Sequence, residues 1–123
     1  LSRWWCDSVI CATPTGSTAY AYSAGGPVVW PEVDALVLLP LAAHALFSRP
    51  MVVSPNSEIV LDLESASADL NADGIRRTKL EKNDRIILTS AKEDVLLAHI
   101  KAATFTDRLV AKFKLPVEGW RGE

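Results

Sequence analysis

The spacing of hydrophobic positions changes along the chain, and each change predicts an element. Residues 8–12, Ser-Val-Ile-Cys-Ala, are short, largely apolar and β-branched at their centre, and Pro14 follows, so a buried strand running into a turn is predicted. Residues 35–39, Ala-Leu-Val-Leu-Leu, predict another buried strand. Beyond them the period becomes two. Ile59, Leu61 and Leu63 alternate with Val60, Asp62 and Glu64, as in a half-buried strand with one wet face. Further strands are predicted over 68–72, 76–80, 85–90 and 95–102, with breaks at Pro55-Asn56, Asp73-Gly74, Asn83-Asp84 and Glu93-Asp94. Asp73-Gly74 is a two-residue hairpin signal, because both central positions of the favoured turn need positive φ. Phe105, Leu109 and Phe113 then repeat every four residues, with Thr104 and Asp107 spaced as a capping pair; this predicts an amphipathic closing helix.

Between the first two strands the periodicity disappears. Residues 12–27 read Ala-Thr-Pro-Thr-Gly-Ser-Thr-Ala-Tyr-Ala-Tyr-Ser-Ala-Gly-Gly-Pro. Residues 16–24 permit a short helix with Thr15 or Ser17 as its cap, and Gly25-Gly26-Pro27 would stop it. So short a helix must be held by packing. Many short, closely spaced strands predict a mainly β fold, antiparallel and sandwich-like rather than built of βαβ units, with this short helix after the first strand and a closing C-terminal helix. No repeat or low-complexity linker divides the chain, so one domain over 1–123 is expected.

Composition narrows the function classes. A chain of 123 residues can bury a single core, and 49% hydrophobic with 23% charged residues is a globular rather than a disordered balance. The net charge of −2 offers no overall attraction for nucleic acid or an anionic membrane, so neither is an expected partner. The longest apolar run, residues 35–43, is interrupted by Pro40 and is far short of the ~20 residues that span a bilayer. The start, Leu1-Ser2-Arg3-Trp4-Trp5, lacks the succession of a secretory leader. Cys6 and Cys11 would point to opposite faces of one strand, which predicts two ordinary thiols in a reducing compartment.

The small-residue stretch carries the chemistry. A strand, a turn of small residues and a helix start together offer unpaired backbone N–H groups, a positive dipole end and close approach for a polar or anionic ligand. Ser17 and Thr18 add hydroxyls, and Tyr20 or Tyr22 could meet a base or a ribose. The stretch is not a phosphate loop, since it holds no lysine, so phosphate charge would have to be met from elsewhere. Nor is it a nucleophile elbow, and a hydrolase built on Ser17 would lack its base. A ligand cradle and a plain capped helix packed on a sheet both fit these residues.

Asp7, Val9-Ile10, Thr13-Pro14-Thr15-Gly16-Ser17-Thr18-Ala19-Tyr20 and Ser23-Ala24-Gly25-Gly26-Pro27 together resemble the long signature of NAD kinases. The similarity continues through Pro40, His44-Ala45-Leu46, Arg49-Pro50, Asp73-Gly74 and Phe105-Thr106-Asp107-Arg108-Leu109. Lys112-Phe113, Leu115-Pro116 and Gly119-Trp120-Arg121-Gly122 resemble the actinobacterial branch. The resemblance implies an enzyme that transfers the γ-phosphoryl group of ATP, or polyphosphate in some members, to the adenosine ribose 2′-hydroxyl of NAD, giving NADP. The family joins an N-terminal α/β domain to a C-terminal all-β domain, and this chain resembles only the second. It has no counterpart of the Gly-Gly-Asp-Gly motif with the proposed catalytic base, nor of the Asn-Glu/Asp pair that grips the adenosine ribose.

The resemblance therefore implies no catalytic residue in this chain, which would be inactive alone. It further implies a divalent metal such as Mg bound with ATP in the complete enzyme and by no side chain here, a homo-oligomer (dimer or tetramer) and a cytoplasmic location. By position, Asp7 matches a residue near the nicotinamide end of NAD. Thr15, Thr18, Ala19, Tyr20, Ala21, Tyr22 and Ser23 match residues around the dinucleotide, and Asp73 matches an aspartate near the same cleft. Ser8 stands where many members have glycine, and Ile75 where a polar residue often helps bind the nucleotide. Turn roles compete for Asp7 and Asp73, and structural roles are expected for His44, His99 and Arg49. Arg76, Arg77, Lys79 and Lys82 read as a solvated basic strand face, and the four tryptophans as core or interface anchors. The competing functional class is a non-catalytic nucleotide-binding or assembly β-domain.

Overall fold

The structure, a computed structural model, describes residues 2–117. Trp120 and the Gly119-Trp120-Arg121-Gly122 resemblance lie outside the described residues. Seven strands and two helices follow in order: β1 (Ser8–Ala12), α1 (Tyr20–Ser23), β2 (Leu36–Leu41), β3 (Met51–Val53), β4 (Ile59–Asp62), β5 (Ser67–Ala72), β6 (Arg76–Glu81), β7 (Arg85–Leu88) and α2 (Phe105–Phe113). A 3₁₀ turn, Thr15–Thr18, precedes α1. All strand pairs are antiparallel: β1-β2-β3 form one sheet, β4-β7 a second and β5-β6 a third. The expectation of a mainly β, antiparallel fold with a short helix after the first strand and a closing helix is met.

The layering follows from the unbroken apolar run of β2. Alternate residues point to opposite faces of a strand, so a run of leucine and valine needs cover on both sides. Val37 and Leu39, both fully buried, pack with Ala21 of α1 and with Val29, and Ile10, Ala12 and Ala24 lie against them. Leu36 and Leu38 face the other way, onto Ile59, with Val9, Met51, Val53, Leu61 and Leu88 around them. The order through the layers is thus α1, the β1-β2-β3 sheet, then the β4-β7 sheet. Burying a leucine such as Leu39 stabilises the fold by about 1.5–3 kcal/mol relative to leaving it exposed.

β2 runs two residues further than its apolar pattern predicts. Pro40 pairs with Val9, while β3 spans only Leu36 to Leu38, so the proline lies beyond the third strand and withholds no N–H from it. The β5-β6 hairpin turns at Asp73 (φ 53°) and Gly74 (φ 69°), the positive values predicted for that pair. Ile75 N–H closes the turn on the Ala72 carbonyl at 3.1 Å and Ala72 pairs with Arg76, so the connection is three residues long rather than the two expected, and Ile75 stands exposed.

Two expectations fail. Residues 95–102 form no strand, and Val95, Leu96, Leu97 and Ile100 are all largely exposed. An alternating sequence becomes a strand only when a neighbour accepts its backbone hydrogen bonds, and no described strand pairs with this segment. Neither Thr15 nor Ser17 caps the short helix: Pro14 precedes the 3₁₀ turn and Ala19 precedes α1, both without a side-chain cap bond. The predicted capping pair of the closing helix does form. Asp107 N–H donates to Thr104 Oγ1 at 3.1 Å, and Thr104 N–H donates to Asp107 Oδ2 at 3.3 Å.

Candidate functional site

The small-residue segment is fixed from inside by one serine. Ser17 is fully buried; its hydroxyl donates to the Pro14 carbonyl at 2.6 Å and accepts the Val29 N–H at 3.0 Å. Gly26 N–H donates to the Ala21 carbonyl at 2.8 Å and closes the segment onto its own helix. A Cβ at Gly26 would lie 2.7 Å from that oxygen, which explains glycine there. With Ser17 and Ala21 turned inward, the segment faces outward through Thr15, Ala19, Tyr20, Tyr22 and Ser23, while Thr18 is half-buried.

Helix α2 closes over this segment. Its Phe113 ring lies 4.4 Å from the Tyr22 ring, and its Phe105 meets Trp30 edge-on at 4.6 Å. Lys112 Nζ donates to the Thr18 carbonyl at 2.7 Å and lies 3.4 Å from Thr18 Oγ1. A cleft of about 370 Å³ lies between the 3₁₀ turn and α2. Thr15, Thr18, His99, Arg108 and Lys112 are its polar lining, and Pro31, Leu97, Phe105 and Leu109 its apolar lining. No carboxylate lines it.

Of the residues singled out in the sequence, Thr15 and Thr18 share this cleft. Tyr20 and Tyr22 lie on α1 beside it, exposed at 60% and 43%, and Ser23 Oγ donates to the Tyr20 carbonyl at 2.9 Å. Ala21 packs in the core, so only its backbone could meet a ligand. Asp7 is exposed just before β1, at the end of that strand opposite the small-residue turn, roughly 20 Å along the chain from Thr13. Asp73 is exposed in the β5-β6 turn, 4.0 Å from Arg76. Neither aspartate lines the cleft.

The remaining polar residues take quieter places. Arg76, Arg77, Lys79 and Lys82 are exposed, as expected for a solvated face. A second hollow, about 430 Å³, lies on the β5-β6 hairpin between Ser67, Asp69, Lys79 and Glu81; of the basic strand face it includes Lys79, and none of the residues matched to the dinucleotide lines it. His44 bonds through its backbone, donating to the Trp5 carbonyl at 2.8 Å. Trp4 anchors a loop by donating to the Phe47 carbonyl at 2.8 Å, whereas Trp5 is 75% exposed. Both cysteines are free; burial raises each thiol above its ordinary pKa, and the Asp7 charge adds to this at Cys6, so neither is an activated nucleophile. Among the described residues, no three His, Cys, Asp or Glu come together to hold a metal ion, and no helix is long and apolar enough to cross a membrane.

Sequence reasoning missed Arg108, Lys112 and His99 as cleft residues. The signal was present in the spacing: Phe105, Arg108, Leu109 and Lys112 fall at i, i+3, i+4 and i+7, one face of a helix. What the spacing could not show is that this face meets Thr15 and Thr18, some ninety residues earlier.

Comparison with known proteins agrees on one family. Residues 1–100 match the model of the ATP-NAD kinase C-terminal domain. The chain is 56% identical to an NAD kinase of Thermobifida fusca, over 99% of this chain and 38% of that protein. It is 54% identical to NAD kinase 2 of Streptomyces avermitilis, over 95% and 40%. It thus spans about two fifths of the length of these relatives. Among solved structures it resembles a yeast NADH kinase complexed with NADH (TM-score 0.67, 40% identity, 71% of this chain and 26% of that one). It also resembles an Archaeoglobus fulgidus NAD kinase in complex with ATP (TM-score 0.66, 36% identity, 75% and 35%).

Proposed function

The chain belongs to the NAD kinase family, matching its C-terminal domain, and from that premise we propose that it is the dinucleotide-binding portion of an enzyme that phosphorylates NAD to NADP. The observation that carries the reading is the segment from Thr15 to Ser23, held from within by Ser17 and Ala21, with Thr15 and Thr18 lining an uncharged wall of a cleft. Residues 1–123 act as one domain in this reading.

Phosphoryl transfer needs an acceptor held in line, charge spread onto cationic groups and an oriented nucleophile. This chain contributes mainly the first. Thr15, Thr18, Ala19, Tyr20, Tyr22 and Ser23 meet the dinucleotide through hydroxyls, rings and backbone, with Ala21 acting through its backbone. Asp7 and Asp73 stand apart from that cleft, so their contact with NAD requires surfaces brought by the rest of the protein or by another subunit. The base on the ribose 2′-hydroxyl, the site of ATP or polyphosphate and the divalent ion that accompanies it are assigned to the upstream part. The chain alone is then inactive, and the complete enzyme works as a cytoplasmic homo-oligomer, dimer or tetramer.

Steady-state turnover of NAD by the full-length protein, with ATP and with polyphosphate as donor, tests the reading, alongside Tyr20→Phe and Asp7→Ala. NADP formation with a raised KM for NAD in these variants is expected. Tight nucleotide binding without NADP formation would instead indicate a non-catalytic nucleotide-binding domain.

A further inference from the structure

We propose that the cleft between the 3₁₀ turn and α2 is a phosphate subsite, in which Arg108 and Lys112 supply the positive charge that the small-residue segment lacks. The proposal rests on the reading of this chain as a nucleotide binder and adds to it the groups that meet the nucleotide's charge.

Residues 12–27 offer hydroxyls and backbone but no cation. Helix α2 brings two. Arg108 and Lys112 are four residues apart on one helical face, and both line the cleft with Thr15 and Thr18 opposite. Like charges at this spacing disfavour the helix, and an anion between them offsets the repulsion. The lining holds no carboxylate to take that place.

Both cations are held at the cleft rather than free to swing. Lys112 Nζ donates to the Thr18 carbonyl at 2.7 Å and to Thr18 Oγ1 at 3.4 Å, and the ammonium keeps a third N–H group to offer. Arg108 Nη1 donates to the Ala103 carbonyl at 2.7 Å, and the guanidinium keeps four other N–H groups. His99, Thr15 and Thr18 add further polar groups to the lining. Leu97 and Phe105 offer an apolar surface beside it, suited to the sugar or base that carries the phosphate. The volume, about 370 Å³, lies within the range of small-ligand sites.

Two molecules carry this chemistry: the diphosphate of the dinucleotide and the phosphates of the phosphoryl donor. The test uses the full-length protein with Arg108→Gln, Lys112→Gln and Lys112→Arg. Calorimetry measures binding of inorganic diphosphate and of uncharged adenosine, and steady-state kinetics measures KM for NAD and for ATP. Each glutamine variant is expected to weaken diphosphate binding roughly tenfold, the loss of one charge-assisted hydrogen bond, with adenosine binding unmoved and Lys112→Arg close to wild type. A raised KM for NAD alone assigns the subsite to the dinucleotide, and a raised KM for ATP alone assigns it to the donor.

Unchanged diphosphate affinity in both glutamine variants overturns the proposal. Equal loss of diphosphate and adenosine binding also overturns it, because that is the mark of a helix holding the fold rather than meeting charge. Failure of the wild-type protein to form NADP would refute the kinase reading while leaving the diphosphate measurement to decide the subsite.

Discussion

Ser17 and Val29 are joined by a hydrogen bond that no solvent reaches: the Val29 N–H donates to Ser17 Oγ at 3.0 Å, twelve residues along the chain. The same hydroxyl donates to the Pro14 carbonyl at 2.6 Å, so one atom ties the turn after β1 to the approach to β2. Ser17→Ala removes it and leaves the Val29 N–H buried without its partner. The expected cost is about 1–3 kcal/mol of stability, read from urea unfolding of the full-length protein. A stability equal to wild type would show that the hydroxyl is not what fixes this turn.

Gly25 and Gly26 are adjacent but needed for different reasons. A Cβ at Gly26 would come 2.7 Å from the Ala21 carbonyl oxygen, whereas one at Gly25 meets nothing within 4 Å but must sit at φ +91°. Gly26→Ala therefore forces residue 26 and the α1 backbone apart at the Ala21 carbonyl, disturbing the Gly26 N–H bond to it, at a cost of about 1–3 kcal/mol, typical of overpacking. Gly25→Ala meets only backbone strain, of about 1–2 kcal/mol. The two separate in a second readout: nearby amide exchange in α1 should accelerate for Gly26→Ala and stay near wild type for Gly25→Ala.

The sequence was most legible where the cause of structure is local. The Asp73-Gly74 turn, the Thr104 and Asp107 capping pair and the two-faced burial of β2 each follow from neighbouring residues and were recovered. β3 was missed because three residues are too few to show a period, and it exists through pairing with Leu36 to Leu38. The strand expected over 95–102 failed for the converse reason, a fitting pattern with no described partner strand. At the site, the family signature pointed to Thr15 and Thr18, but the groups that surround them came from afar. Ser17 acts through Val29, and Lys112 reaches Thr18 across 94 positions, relations that no local window contains.

Asp62 and Arg85 face each other across β4 and β7, with guanidinium to carboxylate contacts of 2.6 and 3.0 Å. The hydrogen bond from Arg85 holds the Asp62 carboxyl below its ordinary 3.8, while burial opposes it more weakly. Because the folded-state value is the lower one, the contribution to stability is complete above pH 3.8 and is lost as pH falls through the folded value. Asp62→Asn should differ from wild type by a constant small amount between about pH 5 and 7, and the difference should vanish in strong acid. Both groups are exposed, so about 1 M salt should shrink it as well. An offset that persists in strong acid would mean that the substitution acts through packing.

Thr104 starts the helix that carries Arg108 and Lys112, and it does so with a reciprocal pair of bonds to Asp107. At the other end Lys114 adopts a left-handed conformation, φ 51°, which lets the Leu115 N–H close on the Val110 carbonyl at 3.2 Å. A helix of nine residues is too short to stand without such ends and its contacts to Tyr22 and Trp30. Thr104→Ala should therefore cost about 1 kcal/mol, concentrated in α2 rather than in the sheets. Hydrogen exchange should show faster exchange of the α2 amides with those of β1 and β2 unchanged. Thr104→Ser, which keeps the acceptor, should restore the wild-type pattern. Diphosphate binding by the full-length protein should weaken in Thr104→Ala and recover in Thr104→Ser, because fraying of α2 withdraws both cations from the cleft at once.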